Sequence, residues 1–398
     1  MSSRLTATAG GGNSGDVGGI AALFLRLGCT SFGGPAAHVA LMEAEVVTGR
    51  AWLTRAEFLD LQGVVQVLPG PNSTELAIHI GQHRGGWRGG IAAGLSFVLP
   101  GVLLVWLLAS VAATPALRPV TASVLWWLAP VVVAVLTDAL WKFGSQAWQR
   151  PFAMVLLPIT ALTAALVQSD VLVLLIGALV SIALQSGRMR DAGAMAGALL
   201  AIVVGGALLA QSAVSASVLH SAPGTGAIFL YFLRAGATVF GSGYVLLAYL
   251  QRDLVDARHW LSIEALTQAS ALAQITPGPL FATATASGYV IGGNAGAAVA
   301  TVGIFLPAFL SVTVSGPIRR LIRHVPLVRA ALDGVVIASV ALLGRALVGF
   351  AFPLSRAQWL AGLIAMLAMF AGRVQATLLL VGAVLAGIVA SLLHSPLS

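Results

Sequence analysis

The chain has 398 residues, 58% hydrophobic and 9% charged, with a mean hydropathy of +0.96 and a formal net charge of +8. Soluble domains charge about a quarter of their residues, so a soluble globular protein is excluded. The basic residues are scattered between apolar runs, which reads as loops under the positive-inside rule rather than as a nucleic-acid surface. A single cysteine, Cys29, excludes an intrachain disulfide and a cysteine metal site.

Residues 1–17 are Gly/Ser/Ala/Thr-rich and read as a disordered cytoplasmic tail. Apolar stretches able to cross a bilayer follow at about 18–47, 57–82, 90–113, 120–142, 151–168, 170–187 and 192–213. The second half repeats the pattern at 225–250, 262–290, 296–316, 326–349, 357–372 and 375–394. The expected fold is an all-α polytopic membrane protein. Two repeats, 18–190 and 225–398, each hold about six membrane segments with broken helices. One extra transmembrane helix within 191–224 joins them, making about 13 segments.

The repeats are visible in the residues. Phe24-Leu25-Arg26-Leu27-Gly28 returns as Phe232-Leu233-Arg234-Ala235-Gly236, and Trp52-Leu53-Thr54 as Trp260-Leu261-Ser262, at an offset of 208. Gln66-Val67-Leu68-Pro69-Gly70-Pro71 returns as Gln274-Ile275-Thr276-Pro277-Gly278-Pro279. An even-numbered unit followed by one crossing enters upside down the second time. Loop charge agrees: His83, Arg84 and Arg88 follow the first Pro-Gly-Pro span, whereas the matching loop 290–295 is uncharged and 317–329 holds four arginines. The repeats are therefore expected to be inverted, with the N-terminus inside. Arg50 and Arg55 are the misfits, since this count strands them outside; re-entrant hairpins in place of the first two spans would lower the count and keep the inversion.

Spans 18–47 and 57–82 carry breakers at Ser31-Phe32-Gly33-Gly34-Pro35 and Pro69-Gly70-Pro71-Asn72-Ser73-Thr74. Proline suits the first helical turn, so Pro35 and Pro71 are expected to start half-helices within the membrane. Such starts leave backbone N–H groups free and carry partial positive charge, which suits an anion. The hydroxyls of Thr30, Ser31, Ser73 and Thr74 and the amide of Asn72 add donors. The second half offers Thr238, Gly241-Ser242-Gly243, Pro277-Gly278-Pro279, Thr283 and Thr285. Four breaks are expected to meet at one midplane pocket.

Arg26 and Arg234 precede the first break of each repeat and either contact the anion or pair with the repeat-equivalent acids Glu45 and Asp253. Gln66 and Gln274 either donate to the ligand or bond between helices. Glu75 and Asp138, within spans, are coupling or gating candidates with Glu45 and Asp253, whereas Asp333 is read as interfacial beside Arg329. His38 stands alone and argues poorly for a proton relay. Trp52, Trp87, Trp260 and Trp359 read as interfacial anchors and Trp126 and Trp127 as deeper packing. No hydrolase, metalloprotease or Walker motif is present, so an enzyme is not expected and no cofactor is implied.

At these residues the chain resembles the chromate ion transporter family. The match rests on Phe24 to Pro35, on Trp52-Leu53-Thr54, on Leu68 to Glu75 and on the weaker second copies, and covers about residues 20–345 in the long, two-domain form. The resemblance implies chromate efflux and resistance across a bacterial inner membrane, with oppositely oriented domains. The residues alone imply only a tetrahedral oxyanion, so a sulfate importer or exchanger and a passive anion channel stay open. Beyond the lipid bilayer no partner is implied; two repeats in one chain remove the need for a homodimer without forbidding one. The second copy departs where Gly34-Pro35 becomes Ser242-Gly243 and Asn72-Ser73-Thr74 becomes Leu280-Phe281-Ala282, so the first half is expected to supply more ligands.

Overall fold

The computed structural model describes residues 16–32, 34–66, 68–167, 169–186, 223–240, 243–372 and 374–394. The expected tail, the connecting helix, and Gly33, Gly241 and Ser242 lie outside the described residues or nearly so. Among the described residues there is no strand, and five helical stretches are long and apolar enough to cross a membrane. The protein is a multi-pass helical membrane protein.

Seven helices of the first half recur in the second. α1 (Val17–Thr30), α2 (Pro35–Glu43), α3 (Arg55–Val65) and α4 (Asn72–Ala112) are followed by α5 (Arg118–Trp148), α6 (Ala153–Leu166) and α7 (Asp170–Gln185). Their counterparts are α8 (Thr225–Thr238), α9 (Gly243–Leu250), α10 (Ile263–Ile275), α11 (Thr283–His324), α12 (Pro326–Ala351), α13 (Arg356–Phe370) and α14 (Ala376–His394). The copying extends to backbone detail. Both α2 and α9 run into π-helical turns, Ala44–Gly49 and Gln251–Ala257, and each is followed by a left-handed residue, Ala51 or His259. The Trp-Leu-Thr/Ser motif is a helix cap: Thr54 Oγ1 accepts from the Glu57 N–H and Ser262 Oγ from the Ala265 N–H. Glu57 accepts in return from the Thr54 N–H and hydroxyl, both at 2.8 Å, which holds its carboxyl below the usual range.

Two of the expected crossings are corrected. Segment 18–47 turns back at its break, because the Trp52 ring after α2 lies under Arg84 at 5.5 Å, while the adjacent Gly85 packs on Ile20 and Val17 at the start of α1. Segment 57–82 also returns, placing His83 within electrostatic reach of Glu57. Both are hairpins entering and leaving at one end of the molecule. The physical reason is length: α1 has 14 residues and α2 has 9, about 21 and 14 Å at ~1.5 Å per residue. Neither reaches across ~30 Å of hydrocarbon, and the Gly/Pro breaks let the chain reverse between them. Arg50 stacks on the same Trp52 ring as Arg84. The two arginines therefore share one end, which removes the misfit in the loop charges.

The reversals expected between 82 and 90 and between 290 and 296 are made by glycine pairs. α4 is two helices joined at Gly85 and Gly86, with φ +62° at Gly86, and α11 breaks identically at Gly292 and Gly293, φ +59°. The first arm of α4 folds back onto the second so closely that a Cβ on Gly81 would lie 2.3 Å from the Gly89 carbonyl. Small residues permit such approach where lipid offers no hydrophobic drive between helices.

Equivalent helices of the two halves run in opposite directions. Gly144 of α5 packs on Val340 of α12 and Leu140 on Gly344, and Arg150 Nη1 binds Asp333 Oδ1 at 2.5 Å, so rising numbers on one meet falling numbers on the other. The second arms of α4 and α11 behave likewise: Gly94 meets Phe309, and the Trp106 Nε1–H donates to Asn294 Oδ1 at 2.9 Å. The halves also interlock. α6 and α7 pack on α12, with Gly177 on Gly334, while α13 and α14 pack on α5, with Gly362 on Pro130 and Gly387 on Val124.

Candidate functional site

The four hairpin tips meet halfway along the second arm of α4. Gly28, at the end of α1, and Gly278, in the second Pro-Gly-Pro turn, both pack near Phe97, and Gly101 approaches the Pro277 carbonyl so closely that a Cβ would lie 2.3 Å from it. Two backbone hydrogen bonds tie the halves together. The Gly70 N–H donates to the Val239 carbonyl at 2.8 Å, and the Gly278 N–H donates to the Ser31 carbonyl at 3.0 Å. Gly70 corresponds to Gly278 and Ser31 to Val239, so these are one contact made twice. Reciprocal contacts of this kind are the mark of a two-fold axis. Both glycines sit at positive φ, +134° and +102°, where a side chain would be strained.

Helix starts cluster at this point. α2 begins at Pro35 behind Gly34, α4 at Asn72 behind Pro71, α9 at Gly243, and α11 follows a 3₁₀ turn, Leu280–Ala282. The carbonyls that end α1 and α8 at the same tips are taken up: Ser31 accepts from Gly278 and lies 3.2 Å from His38 Nε2, and Val239 accepts from Gly70. What remains is rich in donors. Ser31, Ser73 and Thr74 are buried, and the Ser31 and Thr74 hydroxyls have no partner among the described residues. A small cavity opens between Gly34, Tyr244, Gln274, Thr276 and Gly278. Gln274 is buried there with its amide nitrogen on Ser270 Oγ at 2.8 Å and its oxygen without a partner among the described residues. Such a centre can hold a small anion by hydroxyls and helix starts.

The structure sorts the expected residues. Ser31, Gly34, Pro35, Pro69, Gly70, Pro71, Asn72, Ser73, Thr74, Glu75, Gly243, Pro277, Gly278 and Pro279 are brought to the tips. The N–H groups of Gly70 and Gly278, expected to face a ligand, are instead engaged by the opposite half. Thr30 and Thr238 do not reach the centre; their hydroxyls donate back to the Arg26 and Arg234 carbonyls. Arg26 is also outside: its side chain is 55% exposed and pairs with Glu45 at 2.5 Å, with Arg50 on the same carboxylate at 3.6 Å. Arg234 is exposed, and Asp253 lies in the field of Arg234, Arg252 and Arg258. Of the two readings of these arginines, the salt bridge is the one seen for Arg26. Thr283 and Thr285 are committed to the Leu280 carbonyl and to Thr301. Asp138 pairs with Lys142 at 2.7 Å one turn along α5.

Asp333, expected at the membrane interface beside Arg329, finds its partner across the chain. It is buried, paired with Arg150 and 3.4 Å from Gln185 Nε2. The sequence reading also passed over Asp170, buried at the start of α7, which binds Arg345 and lies 3.8 Å from Arg252. The available signal was an ionisable residue within an apolar span on each of two segments. Trp126 and Trp127, expected to pack inside, form an edge-to-face pair on the outer surface, which in a membrane faces lipid.

The chromate transporter family matches residues 19–183 and 226–388, the two structural halves. The chain belongs to the chromate transporter family. It is 29% identical over 341 residues to a chromate transport protein of Cupriavidus metallidurans, covering 82% of this chain and 80% of that protein. It is 30% identical to a chromate transport protein of Pseudomonas aeruginosa over 83% of this chain and 80% of that one. An uncharacterized transporter of Methanocaldococcus jannaschii is 25% identical over 82% of this chain and 83% of its own length. No solved structure matches. As a member of this family the chain is a transporter and not an enzyme.

Proposed function

We propose that this transporter exports chromate from the bacterial cell across the inner membrane by alternating access, with one oxyanion bound where the hairpin tips meet. The observation that carries the reading is the doubled contact between Gly70–Val239 and Gly278–Ser31 at the crossing of antiparallel equivalent helices. A two-fold axis lying in the membrane plane relates two inverted halves, so exchanging their conformations turns an inward-open site into an outward-open one. Arg50 and Arg84 share one end of the molecule, on the Trp52 ring, and the positive-inside rule makes that end cytoplasmic. The described N-terminus, beside Gly85, shares it.

No arginine or lysine is among the residues at the tips, so the anion's charge is met by helix starts and by the Ser31, Ser73 and Thr74 hydroxyls. Release of a dianion from a cell held negative inside gains about 4.6 kcal/mol per 100 mV, twice the value for one charge. The test is radiolabelled chromate flux in proteoliposomes under an imposed potential. Saturable flux toward the positive side is expected; large single-channel conductance in a planar bilayer would overturn alternating access. Competition by sulfate, molybdate and phosphate reads the selectivity of the same site.

A further inference from the structure

Among the described residues Glu75 is the one carboxyl at the tips, and it is fully buried. It stands in the first turn of α4 and folds back over the turn before it: Oε1 lies 2.8 Å from where a Gly70 Cβ would be. A carboxyl there covers the helix start that an anion would use. Its partner is a neutral hydroxyl, Ser311 Oγ of α11 at 3.2 Å, and Oε2 has none among the described residues. The Thr74 hydroxyl of the preceding residue likewise has no partner among the described residues.

The groups facing it are few. His79 lies one turn further along the same helix and is buried, and His38 of α2 is held at the Ser31 carbonyl on the neighbouring tip. From α8 the Gly236 backbone approaches the Gly70 turn, and Arg234 of that helix is exposed. No charged side chain among the described residues acts on the Glu75 carboxyl. The equivalent position in the second half is Thr283, whose hydroxyl is spent on the Leu280 carbonyl. The carboxyl is therefore a property of one half only.

Resting on the transport reading above, we propose that Glu75 binds one proton for each oxyanion, so that anion and proton cross together. The carboxylate and the anion need the same helix start, and two unshielded negative charges there exclude one another. The site fills when Glu75 takes a proton on one side, and both ligands leave on the other, the proton returning to water from the carboxyl oxygen. Net charge moved per chromate falls from two to one, so export still runs down the membrane potential at half the gain, and a pH gradient that is alkaline inside works against it.

Wild-type protein in proteoliposomes, at mildly alkaline pH where chromate is a dianion, is expected to accumulate labelled chromate on the alkaline side when only a pH gradient is imposed, to about tenfold per pH unit. Glu75→Gln is expected to lose that accumulation and to bind chromate with an affinity that no longer depends on pH. Accumulation unchanged in Glu75→Gln overturns the proposal, as does wild-type exchange with no response to the gradient. Should Glu75→Gln fail to fold, proton uptake on adding chromate to weakly buffered wild-type protein decides: about one proton per chromate supports the proposal and none overturns it. Wild-type protein that neither binds nor exchanges chromate removes the transport reading itself.

Discussion

Ser31 and Thr74 have buried hydroxyls with no partner among the described residues, and such bonds cost about 1–3 kcal/mol when left unmade. Water or a ligand must answer them in the working protein. This separates two roles by experiment. Ser31→Ala and Thr74→Val are each expected to weaken chromate binding by about five- to tenfold, the worth of roughly one hydrogen bond. Thermal stability should hold or rise, because no protein partner is lost. A fall in stability with unchanged binding would make both hydroxyls structural. Arg26 gives the opposite expectation. Its guanidinium is half exposed and paired with Glu45, so Arg26→Gln should leave the chromate KM within about threefold of wild type, exposed pairs being worth little. A tenfold rise in KM would return the guanidinium to the site.

At the scale of elements, the sequence was legible where chemistry punctuates the chain. The breaks at Gly34-Pro35 and Pro69-Gly70-Pro71 stand where Gly and Pro place them, and α2 starts at Pro35 itself. The capping role of Thr54 and Ser262 was available in principle from Thr and Ser preceding Glu57 and Glu264. What was not legible was direction after a break. A kinked crossing and a hairpin share the same apolar residues, and contacts from elsewhere decide, here Trp52 on Arg84. The Gly85-Gly86 turn, by contrast, was legible, since His83, Arg84 and Arg88 mark a loop between the apolar spans 57–82 and 90–113. The site was legible as far as the tips, but partners across the chain, such as Gly70 with Val239 or Asp170 with Arg345, leave no mark on local composition. Gly86 has φ +62° and ψ −158°, a region open in practice to glycine alone. Gly86→Ala is expected to destabilise the turn between the two arms of α4 by about 1–3 kcal/mol, read as a lower unfolding midpoint in detergent. Gly85→Ala, at φ −128°, should cost less, although its Cβ would press on the Ile20 side chain 2.8 Å away.

The whole molecule is two interlocked halves rather than two lobes, since α5 and α12 each carry the last two helices of the other half. Rocking of such halves must pass through α5 and α12, where one side is ionic and the other is not. Arg150 binds Asp333 and Arg345 binds Asp170, but the matching contact in the other half is Gln358 Nε2 donating to the Trp126 carbonyl at 2.9 Å. The halves are therefore equivalent in backbone and unequal in charge, as Glu75 is at the tips. Their opposed direction makes a prediction with two clear outcomes. Ala56 and Glu264 are equivalent, exposed and in the first turn of α3 and α10. With Cys29 replaced by Ser, Ala56→Cys and Glu264→Cys each give a single thiol for a membrane-impermeant maleimide. Trp52 and Arg84 mark the end where α3 begins, while Asn294, bonded to Trp106 at the far end of the second arm of α4, marks the end where α10 begins. In right-side-out cells the thiol at 264 should react and the thiol at 56 should react only after permeabilisation. Labelling of both from one side would mean parallel halves, and the midplane exchange of conformations would lose its geometry.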